Sequence, residues 1–383
     1  MKRLLKPLLA LMGLGVLACG GVLVDAWVPM GTAPEGARLE RMLASPQHQG
    51  EIFVNPQAMF NDYSGMFTTF GESRPTTPEV EIPVLRSKGE IFNTPPESGL
   101  RVTWLGHSTQ VFEIDGVRLV TDPIFGGRAG PVDWAGPQVW YTPPIALDDL
   151  PKIDAVLISH DHYDHLQQPT IERMVAWDTR FIVPLGVGAH LEYWGVDPAR
   201  ITELDWWEST TVGAVEVNLV PSRHASGRHL LDQMRTLWGG YAIVGPWNRI
   251  YFSGDTGLFP AMEEIGERYG PFDVALIEVG AYDQAWPDWH MGPENALRGA
   301  DMVNAKSFLP IHWGLWNLAN HGWTEPVERA IVAAEKRGMP MYVPKPGESL
   351  EPSALPDLER WWPDLPWRTV QEYAINTTKV PAE

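Results

Sequence analysis

The chain of 383 residues carries 48 Asp and Glu against 29 Lys and Arg, a formal net charge of −19. Nucleic-acid binding draws most of its affinity from Lys and Arg contacts to phosphates, so this balance speaks against a DNA or RNA partner. It also speaks against docking on anionic lipid through a basic patch. With Cys19 the only cysteine, the remainder of the chain has neither a disulfide nor a thiolate metal ligand.

In chain order, Lys2, Arg3 and Lys6 precede a mostly apolar run from Leu8 to Val24 that stops at Asp25. Residues 1–24 read as a targeting segment: a cleaved signal peptide, a lipoprotein signal or a retained membrane anchor. Cys19 follows Val16-Leu17-Ala18, which resembles a bacterial lipobox with an unusual Leu before the small residue. The apolar run nevertheless continues past Cys19 to a total of about 17 residues, the lower limit for spanning a bilayer, and a retained anchor is the reading adopted. Because the positive residues come first, the bulk of the chain is expected on the extracytoplasmic, periplasmic side.

Residues 25–98 are polar and rich in Pro, Gly and Ser, and read as an extension packed on a core. Strand-like runs follow at 101–105, 110–114, 117–121, 154–159, 180–183, 214–220, 240–244, 249–253, 273–278 and 306–311. Helices are predicted at 169–177, 260–269, 293–303 and 326–336, each opening on Pro. Early hairpins followed by strand-helix units predict an α/β domain over 99–350, with helices outside a pair of packed sheets, and 351–383 as a tail on it.

The sharpest chemical signal is Ser159-His160-Asp161-His162-Tyr163-Asp164-His165, directly after the apolar run Ala155-Val156-Leu157-Ile158. Strand side chains repeat every two residues, so His160 and His162 point the same way, and the turn that follows can bring Asp164 and His165 to a neighbouring point. Imidazole with carboxylate suits zinc, and two ligand groups from one loop suit two metals close together. His224, Asp255 and His312 each follow an apolar run and complete seven candidate ligands, enough for a bridged pair of Zn²⁺ ions with water in the remaining positions.

HxHxDH, a later His, Asp255 within Gly254-Asp255-Thr256-Gly257, and a last His together resemble the metallo-β-lactamase superfamily. Within it, Trp104-Leu105-Gly106-His107-Ser108-Thr109, Thr121-Asp122-Pro123-Ile124-Phe125, Gly280-Ala281-Tyr282 and Ile311-His312-Trp313-Gly314 are similar to the N-acylphosphatidylethanolamine-hydrolysing phospholipase D group. The resemblance implies an αββα sandwich of two mixed sheets flanked by helices. It also implies one zinc on His160, His162 and His224, a second on Asp164, His165 and His312, and Asp255 between them. His290 matches a family histidine near the site, with a catalytic role or a capping one. His107 and Asp122 are expected to orient ligands, whereas His190, His229 and His321 are expected to be surface or packing histidines. The stretches around His224 and after Gly314 depart from the family pattern and are expected to line the substrate channel.

Three functions follow as expectations. The first is a phosphodiesterase of the phospholipase D type, cleaving N-acylphosphatidylethanolamine-like phospholipids with hydroxide held between the metals and oriented by Asp164; the resemblance also suggests a homodimer. The second is hydrolysis of a lactone, ester or soluble phosphodiester on the same metals, since fold alone does not choose a substrate. The third is a non-catalytic envelope protein that binds a partner.

Overall fold

The computed structural model describes residues 24–62 and 74–377. The expected anchor, apart from Val24, and Cys19 lie outside the described residues. Among the described residues no helix is long and apolar enough to cross a membrane.

Helix α1 (Gly36–Leu43) and a small hairpin, β1 (His48–Gln49) with β2 (Ile52–Phe53), precede the main body. The first large sheet contains β3 (Leu100–Gly106), β4 (Thr109–Ile114), β5 (Val117–Thr121), β6 (Ala155–Leu157), β7 (Arg180–Pro184) and β8 (Ile201–Leu204). The second contains β9 (Ser209–Val212), β10 (Val215–Val220), β11 (Gly240–Val244), β12 (Arg249–Phe252), β13 (Val274–Glu278) and β14 (Phe308–Ile311). Late in the chain β15 (Ser349–Leu350) returns to pair with β3, giving the order β15-β3-β4-β5-β6-β7-β8 opposite β14-β13-β12-β11-β10-β9. Both sheets are mixed: hairpins form one half of each, and β5 to β8 and β12 to β14 run parallel.

Alternation along the strands explains the layers. Phe112, Ile114, Leu119 and Leu157 of the first sheet meet Val217, Leu219, Ile243, Ile250, Phe252 and Leu276 of the second in one core. Their neighbours point outward. Val120, Val156, Phe181 and Val183 pack beneath α2 (Gln168–Met174) and α3 (Gly188–Tyr193). On the other outer face Ala242, Tyr251, Ala275 and Ile277 pack beneath α4 (Ala261–Tyr269), α5 (Pro293–Met302) and α6 (Glu325–Arg337). The result is the four-layer αββα sandwich. Tyr241 crosses its middle, donating its hydroxyl to the carbonyls of Ile158 and Ile182 in the other sheet at 2.7 and 3.0 Å.

Five strands escape the sequence pattern: the two-residue β1, β2 and β15, and the longer β8 and β9. In β8 and β9, Ile-Thr-Glu-Leu and Ser-Thr-Thr-Val lie at sheet edges, partly exposed, and have no apolar run to reveal them. Short helices α1 and α3 were likewise not predicted. Beyond 351, Trp361 stacks on Trp313 at 5.5 Å and Trp362 meets it edge-on, which seats the tail against the second sheet's helical layer.

Candidate metal centre

Every candidate ligand sits just beyond the C-terminal end of a strand, on one rim of the sandwich. The loop 159–166 follows β6, His224 follows β10, Asp255 follows β12 and His312 follows β14. The run predicted as strand to Ser159 stops at Leu157 because Asp122 intervenes: its carboxylate accepts Ser159 N and Ser159 Oγ, both at 2.7 Å. The same carboxylate accepts His165 Nδ1 at 2.8 Å, so one buried acid clamps both ends of the loop. His107, Asp122 and His312 hold left-handed backbone angles, with φ of +52°, +36° and +61°. Such angles persist in non-glycine residues only where packing enforces them, and they cluster at functional rims.

The side chains converge as two groups. His162 Nδ1 lies 2.9 Å from His160 Nε2 and 3.3 Å from His224 Nε2. In the second group, Asp164 Oδ2 lies 3.4 Å from His165 Nε2 and 3.3 Å from His312 Nε2. Asp255 Oδ2 stands between them, 3.1 and 3.0 Å from His165 and His312, and 3.8 and 3.7 Å from His160 and His224. All seven sequence candidates are therefore brought together, with Asp255 in the shared position.

Electrostatics agree with this donor set. Burial and the adjacent histidines hold His160 and His224 well below the ordinary imidazole range, in the neutral form a metal requires. Burial opposes ionisation of Asp255 and Asp164, but His165 and the other imidazoles outweigh it and keep both carboxyls well below the usual range. Burial likewise opposes a charge on His165 and His312, yet Asp255 and Asp164 push both up, His312 to about 10, so in this second group a proton stands beside the carboxylates that a cation would have to displace. Facing imidazole nitrogens and the buried Asp255 Oδ1, which has no hydrogen-bond partner, are what a cation would satisfy, so the residues fit a bound metal.

Around the candidate ligands, further groups hold several of the rings. His224 Nδ1 faces the Trp289 carbonyl at 3.1 Å, and His160 Nδ1 faces Ser159 Oγ at 2.9 Å. His107 Nε2 lies 3.1 Å from Asp164 Oδ2, which places it on a ligand's carboxylate. His290 lines the cavity while its Nδ1 sits 2.6 Å from Glu278 Oε2. Sequence reasoning missed Glu278, a fully buried carboxylate that ends the apolar strand Val274-Ala275-Leu276-Ile277. That lone acid in a strand buried throughout was the available signal. Glu278 also accepts the amide of Thr256 at 2.9 Å and lies 3.8 Å from His312 Nδ1.

Of the three histidines set aside, His321 is half-buried and stacks on Tyr282 at 4.4 Å, and His229 is half-exposed beside Asp232. His190 does more than fill space. It is buried, accepts the Thr32 amide at Nδ1 (3.1 Å) and turns Nε2 to Asp161 at 3.3 Å, joining the extension to the metal loop.

A cavity of about 770 Å³ opens onto the cluster. Leu230, Ala281, Trp286, Trp289 and Leu318 form its apolar wall, Asn61 and Gln233 its polar edge, and His162, Asp164, Asp255, His290 and His312 its floor.

Comparison with known proteins agrees. A family described as "Beta-lactamase superfamily domain" matches residues 117–313, just over half of the chain. An uncharacterized protein of Mycobacterium tuberculosis is 44% identical over 327 residues, 83% of this chain and 87% of that one. The N-acyl-phosphatidylethanolamine-hydrolyzing phospholipase D 1 of Caenorhabditis elegans is 34% identical over 303 residues, 72% of this chain and 84% of that protein. Among solved structures, Igni18, a metallo hydrolase of the archaeon Ignicoccus hospitalis, matches with a TM-score of 0.52 at 24% identity, covering 66% of this chain and 97% of that one; this likeness concerns the fold alone. The converging ligands, the two mixed sheets and these relatives lead to one conclusion: the chain belongs to the metallo-β-lactamase superfamily.

Proposed function

We propose that the protein is a dinuclear zinc phosphodiesterase of the phospholipase D type, acting on N-acylphosphatidylethanolamine-like phospholipids. The observation that carries this reading is the cavity: a wall of Leu230, Ala281, Trp286, Trp289 and Leu318, suited to apolar chains, ends on two groups of candidate metal-ligand side chains that share Asp255. The similarity to the C. elegans enzyme supports the same substrate class. His160, His162 and His224 would hold one ion, and Asp164, His165 and His312 the other, with Asp255 common to both. Bound there, two Zn²⁺ ions supply Lewis acidity toward a phosphoryl group and water acidified enough to attack near neutral pH.

The protein's own groups complete the chemistry. Asp164 and Asp255, kept ionised, can accept a hydrogen bond from the attacking water and so orient it toward phosphorus. Glu278 accepts a proton-bearing Nδ1 of His290 and leaves the opposite ring edge for the cavity, where it can deliver a proton to the departing alcohol. Trp286, Trp289 and Leu318 exclude water around the acyl chains. The 1–24 segment is proposed to remain as an anchor, holding the catalytic domain on the extracytoplasmic face next to its lipid. Incubation of the zinc-loaded protein with N-acylphosphatidylethanolamine in mixed micelles tests the reading. Phosphatidic acid and N-acylethanolamine should appear with the unaltered protein and not with Asp255→Asn. A fully loaded protein that makes neither product would end it.

A further inference from the structure

We propose that the loop tip Leu230-Leu231, together with Trp27 and Trp134 near the start of the described chain, is a bilayer-docking surface that seats the cavity mouth on the membrane holding the N-terminal segment. The proposal rests on the reading of residues 1–24 as a retained anchor. Apolar side chains exposed one at a time are ordinary on protein surfaces. Two adjacent leucines exposed to 93% and 82% at the lip of an apolar cavity are not, and they mark a surface that is covered in use.

The loop that displays them is firmly built. Asp232 accepts the amides of Arg228 and His229 at 3.0 and 2.8 Å, and Met234 N donates to Ser226 O at 2.9 Å, closing a turn with the leucines at its tip. Gly227 N donates to Asp161 Oδ1 at 2.7 Å, so the base of the turn is joined to the metal loop. Leu230 also lines the cavity, which makes the tip continuous with the path a lipid would take.

What covers this tip is argued from the start of the described chain. The buried Arg228 guanidinium donates twice to Pro29 O, at 2.9 and 2.7 Å, and also to the carbonyls of Asp161 and Leu166. From Pro29 back to Val24, where the apolar run ends, are five residues, which span at most about 17 Å when fully extended. A turn closed by Met30 N and Ala26 O shortens that path. The leucine tip, two residues beyond Arg228, is thus held near the point where the anchor would leave the bilayer. Trp27 and Trp134 flank that point, 67% and 54% exposed, and Trp134 Nε1 donates to Asp25 Oδ2 at 3.3 Å. Tryptophan favours the headgroup region. With a net charge of −19, the contact must be apolar, so zwitterionic lipid suffices and salt has little effect.

The experiment uses the full chain with Cys19→Ser and a nitroxide on Leu231→Cys, floated with phosphatidylcholine vesicles; Val332→Cys, on α6, serves as the aqueous reference. Both positions are exposed, so neither change disturbs the core. Collision with oxygen should exceed collision with a water-soluble nickel chelate at 231, and the reverse should hold at 332. Aqueous behaviour at both positions overturns the proposal, and so does spin–spin broadening at 231, which would assign the tip to a second copy of the chain. In a second arm, Leu231→Asp should slow hydrolysis of vesicle lipid about tenfold, the effect of losing one buried leucine at the interface, and leave bis(p-nitrophenyl) phosphate hydrolysis unchanged. Equal lipid turnover by the variant overturns docking. If the unaltered protein hydrolyses neither substrate, the functional reading falls while the nitroxide result still decides docking.

Discussion

Glu278→Ala isolates the contribution of the carboxylate that sequence reasoning overlooked. Its side chain is fully buried and serves four groups: His290 Nδ1 at 2.6 Å, the Thr256 amide at 2.9 Å, the Met291 amide at 3.4 Å and, more distantly, His312 Nδ1 at 3.8 Å. Losing a carboxylate that orients metal-site imidazoles costs about 10- to 100-fold in activity or metal affinity, or about 1.4–2.7 kcal/mol. Because Glu278 faces the backs of the rings rather than the shared position of Asp255, the larger part should fall on turnover through His290. Hydrolysis of N-acylphosphatidylethanolamine at saturating zinc is the assay, with chelator competition read alongside. Glu278→Gln keeps the shape and the acceptor for Thr256 N but loses the charge facing His290, and should recover only part of the loss. Turnover and zinc affinity both within about twofold of the unaltered protein in Glu278→Ala would refute the positioning role.

Other outcomes follow from the same geometry. Asp255→Asn removes the anionic oxygen shared by both ligand groups, so metal content by plasma mass spectrometry should fall from two ions per chain to one or none; retention of both would refute the shared role. Burial holds His321 down to about 4 against the opposing pull of Glu325. Above its unfolded value of about 6.5 the residue is neutral in both states; as pH falls toward 4, the unfolded chain takes up a proton that the folded one refuses, and stability declines. At pH 5 this amounts to about 2 kcal/mol, so His321→Phe should lose that part of the slope in urea unfolding compared at pH 7.5 and 5; an unchanged slope would refute the assignment. Gly254 has φ +55°, and a Cβ there would approach Ser159 Cβ to 2.7 Å and Gly239 O to 2.9 Å. Gly254→Ala should therefore cost about 1–3 kcal/mol in thermal unfolding and loosen the metal loop; an unshifted midpoint would contradict the strain argument.

The convergence of the candidate metal ligands was legible because its chemistry is local. His160 and His162 share a face two residues apart beyond a strand, and the other ligands each follow an apolar run that a strand period explains. The strand centres were legible for the same reason, down to the alternation of Val215, Val217 and Leu219 toward the shared core. What the sequence hid depends on distance in the chain. Asp122 ends β6 from 37 residues away, which is why the predicted strand ran two residues too far. Arg228 reaches Pro29 across 199 residues, and Glu278 reveals its partner only when β13 is placed beside the loop carrying His290. His190 looked like filler because neither Thr32 nor Asp161 is its neighbour in sequence. Edge strands β8 and β9 were hidden by polarity, since a half-exposed edge needs no apolar run.

The central claim is attack of water on phosphorus at this centre, and hydrolysis of N-acylphosphatidylethanolamine in ¹⁸O-water reads it directly. The account predicts ¹⁸O in the phosphate of the phosphatidic acid and none in the N-acylethanolamine, because the new bond forms at phosphorus and the alcohol departs with its own oxygen. Label in the N-acylethanolamine, or no turnover by the zinc-loaded protein, would contradict it.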